Sequence, residues 1–434
     1  MDTEATSGIE ALAGSRFETG EAAEFDTMLP PAFAAEGQPA EIISIFDRDG
    51  HRAISTPSTD SVRVVAHDPP GGPPATVSTI EVMLERLRTR SAPGNRDDPW
   101  RVALAVEGGG MRGVISTGML LALEQLGFRS TIDLVVGTSA GALASAFFVD
   151  GRTVEGSVLF YTDLNDAPFL DRSRLLRMEA ALDLPYLIGE VAPARGLDLD
   201  ALGGSDIPLY ATVTPVDPDN ATRFFRVDGD AERVSSILAA TASLPVLAGG
   251  AKVVDDADYV DGGLHEQIPW RTAAVLGATH VLVLPSRPVS DHDELESLTF
   301  VERLTVVPVV RRIHGNHVGD LVASLPERSS HAAWSLRAVS DGRATPIDWM
   351  EGRGQPRFDI VQVPADLHLP DRLERSRPVL VDALMGGAEA LLSYAGFDGP
   401  DGITVEQRVV LTHPDATVKD YRASRLSTLL HRDD

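Results

Sequence analysis

The sequence contains no cysteine among its 434 residues. This absence excludes a disulfide framework, a thiolate nucleophile and a cysteine-based zinc site, so a covalent nucleophile must be an oxygen or an amine. Lysine is nearly absent too, with Lys252 and Lys419 alone, and 64 acidic residues against 38 Lys plus Arg give a formal net charge of −26. Such acidity disfavours nucleic acid as a partner and non-specific attraction to anionic bilayers.

Long apolar runs are missing as well. No stretch reaches the roughly 18 apolar residues of a membrane-spanning helix, and the acidic residues 1–4 lack the basic start of a secretory signal. We therefore expect a cytoplasmic protein with at most peripheral membrane contact, and the sequence gives no indication of its oligomeric state. The hydrophobic content of 43% is typical of a globular protein, and the length suits one large enzyme fold with extensions.

The first sixty residues carry twelve acids against three arginines and show no helical or strand period, apart from one short expected strand at 41–46. A run of proline and glycine at 68–74 then predicts a linker. We predict an acidic, largely irregular N-terminal extension at 1–75, a lead-in helix (79–90) and linker within 76–100, the main domain at 101–397, and a tail at 398–434 with one β segment at 404–411.

From residue 100 onward apolar strands alternate with helices, which is typical of an α/β layer fold. Continuous apolar runs such as Val102 to Val106 suit strands of a buried parallel sheet. Strands are predicted at 102–106, 134–136, 209–213, 223–227, 280–284 and 358–363, and helices at 116–126, 140–149, 235–240, 268–276 and 379–394.

Residues 137–141 read Gly-Thr-Ser-Ala-Gly, a G-x-S-x-G pattern between a predicted strand and a predicted helix. A serine on such a tight turn is held in strained backbone geometry, and glycine at Gly137 and Gly141 lets strand and helix approach. The helix N-terminus beside Ser139 would stabilise developing negative charge. Ser139 is therefore a candidate nucleophile, although a simple N-cap is the alternative.

A second glycine-rich turn follows the first predicted strand, from Glu107 to Gly113. Consecutive glycines let several amides point at one anion. The spacing of Gly108, Gly110 and Gly113 also fits a dinucleotide-binding turn, with Asp133 at the distance of the ribose-binding acid. An oxyanion hole beside the serine is the other interpretation, and the G-x-S-x-G turn on the next strand favours it. No P-loop pattern is present.

The third candidate is Asp261, at the end of a strand and followed by Gly262 and Gly263. A carboxylate there can act as a general base if burial raises its pKa from about 4 toward the working pH. Asp-Gly is also a common turn dipeptide, so the motif alone does not establish a catalytic role.

Taken in order, the three motifs resemble the patatin-like phospholipase family, whose pattern is G-G-G-x-[RK]-G, then G-x-S-x-G, then D-G-[AG]. The resemblance covers about residues 101–397, with a small-residue and proline segment at 242–245 before the aspartate. It implies a three-layer α/β/α fold with a mostly parallel sheet. It also implies hydrolysis of fatty acyl esters of phospholipids, lysophospholipids or neutral lipids, without metal or cofactor.

The resemblance implies specific residue roles. Ser139 would be the nucleophile and Asp261 the base of a dyad that lacks histidine. The oxyanion donors would come from Gly109, Gly110, Met111 and Arg112, the last being the basic position of the motif. The motif glycines would be Gly108, Gly113, Gly137, Gly141, Gly262 and Gly263.

Two positions depart from the family pattern. Glu107 stands where members commonly have aspartate, and Gln267 replaces the asparagine of an N-x-P segment that often follows the aspartate motif. These changes affect the subfamily and leave the dyad intact.

Rival interpretations involve histidines and non-catalytic roles. His265, four residues after Asp261, would suit a Ser-His-Asp esterase of the α/β-hydrolase type. His314 and His317 could share a helix face as metal ligands, but such a pair without a placed carboxylate is typical of a surface. A lipid-binding regulator without activity is a third alternative, against which the intact Ser139 and Asp261 argue.

The apolar segment 164–191 follows the nucleophile helix. Packing helix is the ordinary interpretation, and we also consider it the candidate wall or lid for an acyl chain. Since residues 1–60 carry a net −9 of the −26, the rest of the chain is acidic at lower density. We expect removal of residues 1–70 to strengthen binding to anionic vesicles.

Overall fold

The structure, a computed structural model, describes residues 52–54, 62–64, 77–164, 168–177, 179–289, 300–341 and 356–396. Within the predicted N-terminal extension these residues form an antiparallel pair, β1 (Arg52–Ile54) and β2 (Val62–Val64). The rest of that extension, the linker at 68–74, the tail at 398–434 and the strands expected at 41–46 and 404–411 lie outside the described residues.

An eight-stranded sheet forms the centre of the main domain. Its order is β10-β9-β3-β4-β5-β8-β7, with β6 paired to β5. The pairings from β10 to β5 are parallel, and β6, β7 and β8 are added antiparallel. The predicted α/β fold with a mostly parallel sheet is thereby confirmed. The strands are β3 (Val102–Val106), β4 (Leu134–Gly137), β5 (Leu209–Pro215), β6 (Phe224–Arg226), β7 (Lys252–Val254), β8 (Ala257–Asp261), β9 (His280–Leu284) and β10 (Arg357–Ile360).

Eight α-helices of six or more residues accompany the sheet in the described part of the chain. They are α1 (Thr79–Thr89), α2 (Val114–Gln125), α3 (Ala140–Val149), α4 (Thr153–Thr162), α5 (Ala231–Thr241), α6 (Trp270–Val275), α7 (Phe300–Ser340) and α8 (Arg377–Tyr394). The sequence patterns did not single out α4 or α7. Helix α7 bends at Gly315, whose φ of 83° breaks the helix into two arms.

The side chains of β3 point alternately to the two faces of the sheet, and each face is covered by helices. Leu104 belongs to a core cluster shared with α2, α3, α5 and α8, while Ala103 and Ala105 belong to a second cluster shared with α6 and the end of α7. Successive side chains of a strand point to opposite faces, so a strand apolar at every position needs cover on both. Helices therefore flank the sheet on both sides, as the three-layer expectation requires.

Helix α8 lies directly against α2, through glycines on both helices. A Cβ at Gly118 would overlap the Leu384 carbonyl, and one at Gly387 would overlap the Ile115 carbonyl. Backbones this close exclude any larger residue at either glycine. The last described helix is thus an integral part of the main domain.

Strand register brings Ser139 and Asp261 to one level. Gly137 of β4 pairs with Ala211 of β5, and Val213, two residues further along β5, pairs with Asp261 of the antiparallel β8. Ser139 lies two residues beyond Gly137. Both side chains therefore reach the same edge of the sheet, although their strands run in opposite directions.

Candidate active site

Ser139 occupies a strained turn between β4 and α3. Its backbone has φ 53° and ψ −126°, a conformation that costs a non-glycine residue about 1–3 kcal/mol. The Ser139 amide donates to Thr241 Oγ1 at 3.0 Å. A Cβ at Gly137 would lie 2.5 Å from Ala142 Cα, and one at Gly141 would lie 2.6 Å from the Glu107 carbonyl oxygen. The two motif glycines are therefore required for the turn to close.

Asp261 lies next to the serine hydroxyl. Ser139 Oγ donates to Asp261 Oδ2 at 2.7 Å, and the Gly263 amide donates to Asp261 Oδ1 at 2.7 Å. Burial raises the pKa of Asp261 to about 6, against the opposing effects of these hydrogen bonds and of the Arg372 charge. Above that pH the carboxylate can accept the serine proton.

The backbone of Asp261 is held on both sides. Its amide donates to the Ser243 carbonyl at 3.1 Å, which gives the small-residue segment at 242–245 a structural role. Thr214 Oγ1 donates to the Asp261 carbonyl at 2.8 Å. A Cβ at Gly262 would overlap Thr212, so this glycine allows the turn to pack against β5.

The glycine-rich turn after β3 already uses several of its amides. Gly108 N donates to the Gln267 carbonyl at 3.3 Å, Met111 N to the Arg372 carbonyl at 3.0 Å, and Arg112 N to the Gly109 carbonyl at 3.2 Å. The expectation that the Met111 amide serves as an oxyanion donor therefore does not fit this geometry. In the described part of the chain the Gly109 and Gly110 amides have no protein acceptor.

The remaining motif residues fix the shape of this turn. Gly110 has φ 60°, and a Cβ there would lie 2.6 Å from the Arg372 carbonyl oxygen. At Gly108 a Cβ would lie 2.9 Å from Ser139 Cβ, and at Gly113 it would lie 2.9 Å from Ala140 Cβ. The two glycine turns are thus in near contact, which larger residues would prevent. The Arg112 side chain is buried at the same turn.

Glu107 and Gln267, the two departures from the family pattern, both support the glycine turn. The buried Glu107 accepts from the Ser286 amide at 2.7 Å and from Arg287 Nε at 3.3 Å. Ser286 Oγ in turn donates to the Gly108 carbonyl at 3.0 Å, and Gln267 Oε1 accepts from Arg287 at 3.4 Å. The longer glutamate therefore links the turn to the residues that follow β9.

Ser139 borders two pockets of similar size, each partly open to solvent. We call them the polar chamber and the apolar chamber. Lining residues of the polar chamber include Glu107, Arg112, Asp261, Gln267, Arg287, Leu325, Arg372 and Leu373. Lining residues of the apolar chamber include Leu143, Phe147, Leu159, Phe160, Leu164, Phe169, Leu182, Leu184, Leu187 and Ala192. Segment 164–191, the candidate wall for an acyl chain, supplies five of these apolar side chains.

His265 does not join the serine. Ser139 Oγ donates to Asp261, whereas the His265 ring lies 6.2 Å from the His317 ring, centroid to centroid. Burial and the nearby Arg223 charge hold the pKa of His265 well below its usual range. This arrangement disfavours the Ser-His-Asp interpretation.

The dinucleotide-binding and metal-binding interpretations also lose support. Asp133 precedes β4, at the sheet edge opposite the glycine turn, and its carboxylate accepts from Arg86 and Arg96 at 2.7 Å each. Asp133 therefore has a structural role, far from any ligand held at the glycine turn. His314 and His317 flank the bend of α7, and the described residues contain no group of three His, Asp or Glu side chains arranged to hold a metal ion.

Sequence patterns did not identify Arg287, Leu325, Arg372 or Leu373 as residues of the site. Arg372 lines both chambers, and its carbonyl accepts from Met111. Arg287 lies in the loop after β9 and Leu325 lies in α7, whereas Arg372 and Leu373 lie in the segment before α8. All four are far from the motifs along the chain. A single arginine in a loop carries no recognisable spacing, so only the fold reveals it.

The fold and site define the class of protein: an α/β protein with a serine and an aspartate paired at a strand-to-helix turn, beside a glycine-rich turn. Residues 104–274 match the family model for patatin-like phospholipases. This segment contains Ser139, Asp261 and the glycine-rich turn that begins at Gly108. This segment of the chain is therefore similar to patatin-like phospholipases, and it is the segment that carries all three motifs.

Individual proteins give further comparisons. The chain is 28% identical over 193 residues to the uncharacterized protein YjjU of Escherichia coli (strain K12), an alignment covering 44% of this chain and 53% of YjjU. The chain thus spans about half the length of this curated relative. A crystal structure of the type III effector protein ExoU aligns over 78% of this chain and 79% of that one, at 14% identity and a TM-score of 0.22. So low a score supports no argument about this chain.

Within the described ranges, the longest and most apolar helices fall short of what crossing a membrane would require.

Proposed function

We propose that the protein is a lipid acyl hydrolase that cleaves fatty acyl esters through a Ser139–Asp261 dyad. The observation that carries this proposal is the 2.7 Å hydrogen bond from Ser139 Oγ to Asp261 Oδ2, made by a serine in a strained turn between two cavities. The match of residues 104–274 to patatin-like phospholipases supports acyl ester hydrolysis in general.

In the proposed first step Asp261 accepts the Ser139 proton while Ser139 Oγ attacks the acyl carbonyl carbon. The carbonyl oxygen becomes an oxyanion, which the Gly109 and Gly110 amides and the N-terminus of α3 stabilise. Removal of one such donor typically costs about 3 kcal/mol of transition-state stabilisation. Arg112, buried at the same turn, contributes to this electrostatic environment.

The tetrahedral intermediate then collapses, and the ester oxygen leaves as an alcohol after receiving the proton from Asp261. Water then attacks the acyl-enzyme as Asp261 takes its proton. On collapse of this second intermediate Asp261 returns the proton to Ser139 Oγ, and the fatty acid is released. The protein's own side chains and amides supply each of these functions. We assign the acyl chain to the apolar chamber and the leaving alcohol to the polar chamber, because the former is lined by leucine and phenylalanine and the latter by charged groups.

Fluorophosphonate labelling and hydrolysis of p-nitrophenyl acyl esters test the proposal. We expect Ser139→Ala to lose labelling and to fall to background turnover. Ser145→Ala is the matched control, because Ser145 lies on the same helix and its Oγ donates to the Gly141 carbonyl, away from the dyad. Equal turnover in wild type and Ser139→Ala would contradict the hydrolase.

A second variant separates the dyad from the histidine-based alternative. We expect His265→Ala to keep ester hydrolysis, since His265 forms no hydrogen bond with Ser139 or Asp261 in the structure. Loss of activity in His265→Ala together with an active Asp261→Asn would support the Ser-His-Asp esterase instead.

A further inference from the structure

Arg223 is a buried cation with one edge of its guanidinium left open. Its side chain is 5% exposed, and Nη1 donates to the carbonyls of Asn220 at 2.7 Å and Thr222 at 3.2 Å. Nε and Nη2 are buried and have no hydrogen-bond partner in the described structure. These two nitrogens form the side of the guanidinium whose parallel N–H groups bind carboxylate and phosphate oxygens in pairs.

Two histidines near Arg223 also have unsatisfied ring nitrogens. The Nε2 atoms of His265 and His317 are buried without a hydrogen-bond partner in the part of the chain the structure covers. Their rings lie 6.2 Å apart. Burial lowers the pKa of both histidines, and the nearby charges of Arg223 and Arg328 lower it further. Four nitrogen-bearing side chains from three elements therefore cluster here.

The cluster has no anionic counterpart. Neither Arg223 nor Arg328 forms an ion pair with a carboxylate among the described residues, and burial lowers the pKa of each to about 10. Arg328 donates to the carbonyls of Leu264 and Leu321. Of the acids near His317, Asp217 and Asp320 are exposed, and Asp320 pairs with Arg311 at 2.6 Å.

Buried charges in proteins are normally paired, because an unpaired ion loses its hydration without compensation. Unsatisfied buried nitrogens on several neighbouring side chains therefore call for a hydrogen-bond partner that the described residues do not supply. We propose that this cluster is a binding site for a small tetrahedral oxyanion of the phosphate class, with the open edge of Arg223 donating two hydrogen bonds and His265 and His317 donating one each.

The site would join separate parts of the fold. Arg223 directly precedes β6, His265 follows the Asp261 turn, and His317 follows the bend of α7. Leu264, whose carbonyl accepts from Arg328, also lines the polar chamber. A bound oxyanion would therefore stabilise the packing of α7 against the turn that carries Asp261. This inference does not depend on the proposed hydrolase activity.

Thermal unfolding of the full chain tests the site. We expect sodium phosphate or sulfate to raise the melting temperature by about 2 °C or more over sodium chloride at equal ionic strength, in a saturable manner, because a ligand that binds only the folded state stabilises it. Sodium acetate should give no such rise. Equal melting temperatures in phosphate and chloride would overturn the proposal, as would a response to acetate alone.

Variants assign the response to the cluster. We expect Arg223→Gln and His317→Gln to lose the phosphate-dependent rise. Arg226→Gln should keep it, because Arg226 ends the strand that Arg223 precedes and its charge lies 3.5 Å from the Asp228 carboxylate. If Arg223→Gln does not fold, titration calorimetry with inorganic phosphate carries the test. Saturable heat in wild type and none in His317→Gln is expected, and the same heat in both would overturn the site.

Discussion

The polar and apolar chambers meet at Ser139, but they differ in how much of their lining comes from outside the family segment. Apart from Arg372, every lining residue of the apolar chamber lies within 110–242, inside the segment that matches the family model. The polar chamber takes Ser286, Arg287, Leu325, Arg372 and Leu373 from beyond that segment. The proposed acyl side is therefore encoded almost entirely within the matched segment, whereas the proposed leaving-group side also needs residues from later in the chain.

If the dyad serves both chambers, its removal should reduce kcat by the same factor for every ester substrate. We expect Asp261→Asn to lower kcat by about 10²–10⁴-fold, because it removes the general base. The reduction should be equal for short-chain, long-chain, neutral and charged esters. Steady-state kinetics with four such esters measures it, and a loss confined to one ester class would show that the chambers do not share one base.

The apolar chamber should control chain length. We expect Ala192→Leu to lower the long-chain to short-chain ratio of kcat/KM by roughly 10–200-fold, since the added carbons take space worth about 1–3 kcal/mol of binding. Ala192 is buried and lines this chamber. Ala194→Leu is the control, because Ala194 belongs to the same helical turn and is exposed. An unchanged ratio in Ala192→Leu would remove the assignment of the acyl chain to this chamber.

The pH profile should also be common to both chambers. Asp261 must be ionised to accept the proton, and burial raises its pKa to about 6. We expect kcat/KM to be constant above this value and to fall about tenfold per pH unit below it. Profiles for a neutral and a phosphate-bearing ester should share this midpoint. A midpoint near 4 would mean that Asp261 is better hydrated during turnover than in the structure.

Arg372 should affect the polar chamber more than the apolar one. We expect Arg372→Gln to lower kcat/KM about tenfold for esters with a phosphate-bearing leaving group and less for neutral esters, because a charge-assisted hydrogen bond is worth roughly 1.5–3 kcal/mol. Arg375→Gln is the matched control, since Arg375 is exposed on the same loop. Equal losses for both ester types would contradict a role of the Arg372 charge in binding the leaving group.

The smallest expected effect concerns stability. The folded state binds the Asp261 proton more tightly than the unfolded state, because burial raises the pKa of this carboxyl to about 6. The free energy of unfolding therefore falls as the pH rises from about 4 to 6, and at neutral pH the reduction is at most about 3 kcal/mol. We therefore expect Asp261→Asn to melt a few degrees above wild type at pH 8 and not at pH 4. Calorimetry at both pH values checks this, and a variant less stable than wild type at pH 8 would contradict it.

Local patterns predicted the part of the site that lies on consecutive elements. The strand and helix around Ser139 follow from an apolar run, a small-residue turn and a second apolar run, all within 134–149. The role of Asp261 was predicted only from the family resemblance, because an Asp-Gly dipeptide is common in turns of every kind. The partners of these motifs were not predictable in the same way.

Long-range pairing explains what the sequence did not reveal. The Met111 amide donates to the Arg372 carbonyl, which lies more than 250 positions later in the chain. No sequence periodicity predicts such a contact. Helix α7 contains Pro308, Pro326 and a bend at Gly315, which interrupt the pattern by which a helix is recognised. Its packing against Leu264 could be seen only in the folded chain.

The hydrogen bond from Met111 N to the Arg372 carbonyl has a consequence for how this protein could be dissected. An excised fragment ending at residue 274 would retain every motif yet lack β9, β10 and α8, together with the acceptor that fixes the glycine turn. Modular transfer of the motif segment to another scaffold should therefore fail. We expect the smallest autonomous unit to extend through the last described helix, which ends about 120 residues beyond the segment that matches the family model.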